Sequence, residues 1–300
     1  MYVAILIMSI TTEHIPSLSN IKLEFKSNKY PVCPASNIPK MYFVSLFVGS
    51  RGSGKTYSAC QLLKLYETNG LYQGNKKLDQ RLILISPTSH ANPVFTSLKN
   101  LDDSDIHGTY SDSLLGEILD DIAHEKKETA NYQRKIKLWM KLSKNEKIDS
   151  FEHSDLVDLE MNDYEKPEPP RFPNGVVNFL ILDDLIGSSA FKTTGKSALT
   201  NLILKNRHLG INILCMTQNL KAIPKSIRTN TSLFVIFRFA SKKIIVDDLY
   251  EEVSNILPIN KFEQVFDFAT EGEHSALVID FSQNKNNRFK KNWDNILHIY

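Results

Sequence analysis

Cysteine is scarce: only Cys33, Cys60 and Cys215 occur in 300 residues. They are too widely spaced for a zinc-ligand pattern or a disulfide framework, which fits a reducing compartment and leaves each as a small buried hydrophobe. Long apolar runs are missing as well. The longest, residues 2–8, falls far short of the roughly 18 to 20 residues that cross a bilayer, and no Lys or Arg precedes it as in a signal peptide. The expectation is a soluble, unexported protein with no membrane partner. Because Met8 closes that run, residues 1–7 read either as an upstream start or as an extra edge strand. Charge of one sign is also lacking, since 36 Lys plus Arg against 34 Asp plus Glu leave a net charge of +2. No global field marks a binder of polyanions, so any such signal must be local. What the chain does have is 42% hydrophobic residues, enough for a sizeable core and against disorder of the bulk.

The local signal exists. Residues 111–170 carry 15 acidic and 9 basic side chains, whereas residues 185–246 carry 10 basic and no acidic ones. The second stretch is the candidate polyanion surface, with Lys221 and Lys225 as candidate phosphate contacts. The acidic stretch has helical patterns at 114–123 and 132–142 and closes on the proline cluster at 166–173, which no helix tolerates. It reads as an insertion at about 111–173 within one domain of residues 41–300, preceded by an N-terminal arm, 1–40. Through that domain, apolar β-branched and aromatic runs at 42–48, 81–86, 176–182, 211–216, 233–239 and 276–281 alternate with helical patterns, notably 55–67 and 197–207. Strands apolar on both faces are those of a mainly parallel sheet covered by helices on both sides, an α/β sandwich with ligands at the carboxyl ends of its strands.

Directly after the first of these runs comes Gly49-Ser50-Arg51-Gly52-Ser53-Gly54-Lys55-Thr56, a complete G-x-x-x-x-G-K-T match opening a helix. Glycines let successive N–H groups converge on one anion, and the helix N-terminus adds positive potential. Lys55 reaches the β and γ phosphates and the Thr56 hydroxyl ligates Mg2+. The run 176–182 ends in Asp183-Asp184, the form of a Walker B motif. Asp183 is assigned to Mg2+ and Asp184 to the attacking water, where many such ATPases carry Glu. Gln218, following the run 211–216, emerges beside the γ phosphate if that strand neighbours the Walker B strand. A GTPase reading finds a D-x-x-G at Asp184–Gly187, but Asn260-Lys261-Phe262-Glu263 lacks the Asp that reads guanine. No L-S-G-G-Q occurs, against an ABC-type ATPase; a kinase-type lid stays open on motifs alone.

The run 206–219, Asn-Arg-His-Leu-Gly-Ile-Asn-Ile-Leu-Cys-Met-Thr-Gln-Asn, resembles the R-x-x-G-I-x-hhhh-T-Q segment of the FtsK/HerA superfamily of DNA-pumping ATPases. Its continuation through Pro224, Arg228 and Asn230 looks most like the poxvirus-type genome-packaging ATPases of large DNA viruses, virophages and related elements. The resemblance spans roughly residues 40–90 and 174–282; the acidic insertion and the tail after Phe281 match nothing. It implies a P-loop ATPase of RecA/FtsK/HerA type, hydrolysing ATP with Mg2+ to move double-stranded DNA, most simply a viral genome into its capsid. It also implies a homo-oligomeric ring, pentameric or hexameric, and a capsid partner, working in the virion or at the assembly site in host cytoplasm. Lys55, Thr56, Asp183 and Gln218 fit the family's positions, while Asp184 departs from the superfamily's usual Glu. An arginine reaching the neighbouring subunit's phosphate is implied to be Arg207, at the R-x-x-G-I position, with Arg228 second. Two other readings stay open: a plasmid or conjugative translocase, and a non-motor switch that binds nucleotide to control assembly.

Overall fold

The computed structural model describes residues 30–89, 92–144, 151–161, 164–185, 188–191, 197–239 and 242–299. The reading of residues 1–7 and most of the arm 1–40 lies outside the described residues. So does Gly187 of the D-x-x-G.

The framework is a single sheet of ten strands: β1 (Val44–Val48), β2 (Leu71–Gln73), β3 (Lys76–Ile85), β4 (Leu101–His107), β5 (Val176–Asp183), β6 (Ile211–Thr217), β7 (Leu233–Phe237), β8 (Ala276–Asp280), β9 (Phe289–Lys291) and β10 (Asn295–Ile296). Their order is β10-β9-β8-β7-β1-β6-β5-β3-β2, with β4 also on β3. The run β7-β1-β6-β5-β3-β4 is parallel, and β2, β8, β9 and β10 pair antiparallel. All six apolar runs form strands as expected, although β8 reverses direction because the hairpin-like return from the last helix brings it up beside β7. The four unforeseen strands lie at or next to the sheet's edges and are short or polar, so none carries a long apolar run.

Alternation splits the sheet's side chains between two cores. Leu46 and Val48 of β1 enter one, Phe47 the other. The second core is covered by α1 (Lys55–Asn69), whose Ala59, Leu62, Leu63 and Tyr66 form one buried stripe at helical spacing. The first is covered by α2 (Asp112–Ser143), α4 (Ala198–Leu209), α6 (Lys242–Val253) and α7 (Ile259–Ala269). The chain is therefore an α/β fold with a mainly parallel central sheet and helices on both faces, as its pattern implied. Cys60 and Cys215 lie in these cores, their thiols pushed up to about 12 by burial, while Cys33 is half-buried.

The acidic segment departs from expectation in one respect. Its two helical patterns belong to one helix of 32 residues, α2, capped by Ser111, whose hydroxyl accepts from Leu114 N at 3.0 Å. The buried stripe Leu115, Ile118, Ile122 continues as Glu125 and Thr129. Polar residues hold the core-facing positions there, so the apolar period fails while the helix does not. Glu125 meets the buried Arg81 guanidinium at 2.6 Å and Thr129 donates to Phe172 O at 2.8 Å. A short helix, α3 (His153–Glu160), packs Leu159 with Phe151 against Leu138 of α2.

Candidate active site

Four parallel strands end at one edge of the sheet, and each delivers part of one cleft. Val48 of β1 is in register with Thr217 of β6, Met216 of β6 with Asp183 of β5, and Leu182 of β5 with Ile85 of β3. The strand bearing Gln218 thus lies between the P-loop strand and the Asp183 strand, so that all three ends fall within two ladder spacings, about 10 Å. The cleft has a volume of about 700 Å³ and is lined by Gly54, Lys55, Thr56, Asp183, Asp184 and Gln218, together with Arg51 and Gly52 of the loop. These expected residues converge in a single chain.

The loop is built for an anion. Gly49 cannot be replaced sterically, since a Cβ there would stand 2.4 Å from Ser53 Oγ and 2.9 Å from Phe237 Cβ. Gly54 has φ +99 and hands the chain to α1 without any side-chain cap. The first intrahelical bond is Ser58 N to Gly54 O, 2.9 Å, which leaves the N–H groups of Lys55, Thr56 and Tyr57 without helical acceptors. Ser53 Oγ is buried with no partner among the described residues. Lys55 Nζ donates to the carbonyls of Gly49 and Ser50, both at 2.8 Å, arching over the loop. Burial lowers its pKa, opposed by the carboxylates of Asp183 and Asp184.

Asp183 is 6% exposed, and burial raises its pKa; Ser86 and Lys55 oppose the shift, and Asp184 adds to it. The Ser86 hydroxyl, at the end of β3, donates to Asp183 Oδ2 at 3.3 Å. Asp184 is exposed, takes the left-handed backbone (φ +51) and accepts at Oδ1 from Gln218 Nε2 at 3.1 Å. That backbone turn sends the two adjacent carboxylates to different places, one inward to Ser86 and one outward to Gln218. Ser86 escaped the motif analysis, as did Thr88, Asn92, Pro93 and Val94 on the cleft's outer wall. Position alone was the available signal for Ser86, which ends the run beside the Asp183 strand.

Arg207 and Arg228 do not join this cleft. Both line another, of about 590 Å³, where α4 runs into β6 and where the turn after α5 (Lys225–Arg228) runs into β7. That is the opposite, amino-terminal edge of the parallel strands, a seven-residue strand or about 23 Å away. Arg207 is exposed with no ion pair among the described residues. Arg228 is 12% exposed and lies 3.4 Å from Glu252 and 3.9 Å from Glu251. Two further cations of the basic stretch are paired: Lys221 with Asp248 at 3.1 Å and Lys225 with Glu251 at 2.6 Å. The acidic residues absent from 185–246 arrive immediately afterwards on α6, which folds back over these cations.

No protein-family model and no curated protein matches the chain. Among solved structures it is similar to the genome packaging NTPase B204 of Sulfolobus turreted icosahedral virus 2 in complex with ATP-gammaS, at 14% identity and a TM-score of 0.44 over 85% of this chain and 98% of that one. It is also similar to the cytoplasmic domain of the type VII secretion ATPase EccC of Thermomonospora curvata, at 13% identity and a TM-score of 0.41 over 90% of this chain and 29% of that one. The N-terminal domain of zonular occludens toxin from Neisseria meningitidis matches at 14% identity and a TM-score of 0.32 over 68% and 80%. Likeness at this level assigns no chemistry, which has to come from the cleft itself.

Proposed function

We propose that this chain is an ATP-hydrolysing motor that moves double-stranded DNA as a ring of identical subunits, with packaging of a viral genome into its capsid as the setting. The observation that carries the reading is the convergence of a P-loop, a buried and an exposed carboxylate and a glutamine at the ends of adjacent parallel strands, with Gln218 bonded to Asp184 at 3.1 Å. The unpaired N–H groups at the start of α1 and the Ser53 hydroxyl receive the phosphates. A triphosphate outcompetes the neutral carbonyls of Gly49 and Ser50 for Lys55, because charge-assisted hydrogen bonds are about twice as strong. Asp184 takes the proton of the attacking water while the Gln218 amide orients it.

The donor set fits Mg2+: hard oxygens from Thr56 and Asp183 line the phosphate cleft, the ligand type and number of an ion held by one or two carboxylates and substrate. When bound, Mg2+ neutralises phosphate charge. Arg207, exposed and away from its own cleft, is the preferred arginine finger for a neighbouring copy over the ion-paired Arg228. Lys221 and Lys225 are the candidate DNA contacts, exchanging carboxylates for phosphates. No helix among the described residues is long and apolar enough to cross a membrane. The test is ATP turnover measured with and without duplex DNA of unrelated sequences. Turnover that rises with any duplex supports the motor; bound ATP that is never hydrolysed in either condition refutes it.

A further inference from the structure

A second pocket opens beside the P-loop, on the other side of the start of α1. It encloses about 510 Å³, shares Gly54 and Tyr57 with the phosphate cleft and runs along α1 as far as Thr68. We propose that it binds the nucleoside half of the triphosphate, a planar base with its ribose, and that the C-terminal hairpin is what completes it. The proposal rests on the reading of the neighbouring cleft as a phosphate site.

Three features point to a base rather than to further phosphate. First, Tyr57 stands at the divide between the clefts and is 58% exposed, an aromatic side chain left in water at a cavity mouth. Trp293 lines the same pocket and is held rigid, its Nε1 donating to the carbonyl and the hydroxyl of Ser58, both at 3.0 Å. Second, the cation on this face is turned away: Lys64 Nζ donates to Ser97 O at 2.7 Å and lies 3.5 Å from Glu67. The carboxylate of Asp294 on the rim repels phosphate and accepts from hydroxyls. Third, the pocket keeps a donor. Asn292 spends its side-chain oxygen on Ala276 N at 2.9 Å, and its own N–H bonds Ala276 O at 2.9 Å, leaving the amide nitrogen without a partner among the described residues.

Backbone strain concentrates at the same place. Six non-glycine residues have positive φ among the described residues, and three of them line these two clefts: Asp184 the first, His274 (φ +57) and Asn292 (φ +56) the second. His274 also comes within 3.2 Å of a Cβ built on Gly54, so the pocket wall and the phosphate loop are in direct contact. The tail after Phe281, which resembles nothing by sequence, thereby acquires a task. Its turn between β9 and β10, residues 292–294, forms one wall of the base site.

Calorimetry with the full chain separates the two halves of the ligand, using a non-hydrolysable ATP analogue and inorganic tripolyphosphate as probes. Stacking on one aromatic ring corresponds to about tenfold in affinity. Tyr57→Ala, which removes the ring but keeps the backbone N–H that faces the phosphates, is therefore expected to weaken the analogue about tenfold and leave tripolyphosphate unchanged, while Tyr57→Phe, which keeps the ring, binds both normally. A second readout leaves the site intact: in Trp139→Phe, Trp293 is the sole tryptophan of a chain that has two, and its emission should respond to the analogue but not to tripolyphosphate. Equal losses for both probes in Tyr57→Ala, no loss for either, or an equal emission response would overturn the base site. Wild-type protein that binds neither probe, or Lys55→Ala that binds both as tightly as wild type, would instead overturn the phosphate reading and the base site with it.

Discussion

Removing the Arg81 guanidinium tests whether the acidic helix is docked by charge. Arg81 is 4% exposed on β3 and meets three carboxylates: Asp105 of β4 at 2.6 Å, and Asp121 at 2.7 Å and Glu125 at 2.6 Å, both of α2. Arg171, from the proline-rich segment, adds contacts to Asp105 at 2.8 Å and to Glu125 at 3.6 Å. Arg81→Met keeps the stem's volume but leaves Asp105 and Glu125, 3% and 10% exposed at their side chains, with only the second guanidinium. Stripping one partner from a buried ion pair costs about 3–5 kcal/mol, against the roughly 5–15 kcal/mol that holds a domain folded. The variant should therefore fold, with Tm lower by about 10 °C at roughly 2–4 °C per kcal/mol. The loss must also depend on pH with a definite sign. Burial already raises the pKa of Glu125 against the pull of Arg81; without that cation it rises further, and a carboxyl with a raised folded pKa destabilises only where it is ionised. The gap between variant and wild type, read by urea denaturation, should be widest at neutral pH and shrink as acid protonates Glu125. Asp105→Asn in the Arg81→Met background should restore part of the loss. A defect under about 1 kcal/mol, or one that grows in acid, would refute the docking argument.

The remaining predictions concern the cleft and the ring. Asp183→Asn should weaken Mg2+-dependent nucleotide binding, whereas Asp184→Asn, a residue that tolerates the left-handed backbone, should bind normally and hydrolyse slowly; binding isotherms and turnover separate the two. Because burial raises the pKa of Asp183, its ionised form costs stability above that pKa, so metal-free Asp183→Asn should melt higher than wild type at neutral pH, with the difference vanishing in acid. Arg207→Ala should bind ATP yet lose about 10³-fold or more in turnover, and mixing it with Lys55→Ala should recover activity; recovery with Arg228→Ala instead moves the finger to Arg228. DNA affinity should fall steeply with salt, and Lys221→Glu with Lys225→Glu should flatten that slope in a filter-binding titration.

What the amino-acid order made legible and what it hid divide along a physical line. The P-loop, Asp183-Asp184 and Gln218 could be read because each is a local signal, a polar group at the end of an apolar strand, and because parallel strands bring such ends to one edge of a sheet. The pairing of β6 with both β1 and β5 was the one tertiary fact needed, and the motifs demanded it. Ser86 lay hidden because one serine after a strand is an ordinary turn residue until the neighbouring strand is known to carry Asp183. The continuity of α2 lay hidden because Glu125 and Thr129 occupy its buried stripe, and two guanidinium groups distant in sequence, Arg81 and Arg171, make a carboxylate acceptable there. Charge counting meets the same limit, because the partners of a cation lie elsewhere in the chain: in the fold, Asp248 and Glu251 lie on Lys221 and Lys225. The Lys225–Glu251 pair, exposed on both sides, is worth about 0–1 kcal/mol, weak enough for a DNA phosphate to displace, whereas Asp248 of the other pair is largely buried. The displaced carboxylates would then face the duplex, so a DNA contact at these lysines requires α6 to turn its acidic side away, and the electrostatics of the proposed DNA contact and the placement of α6 become one problem rather than two.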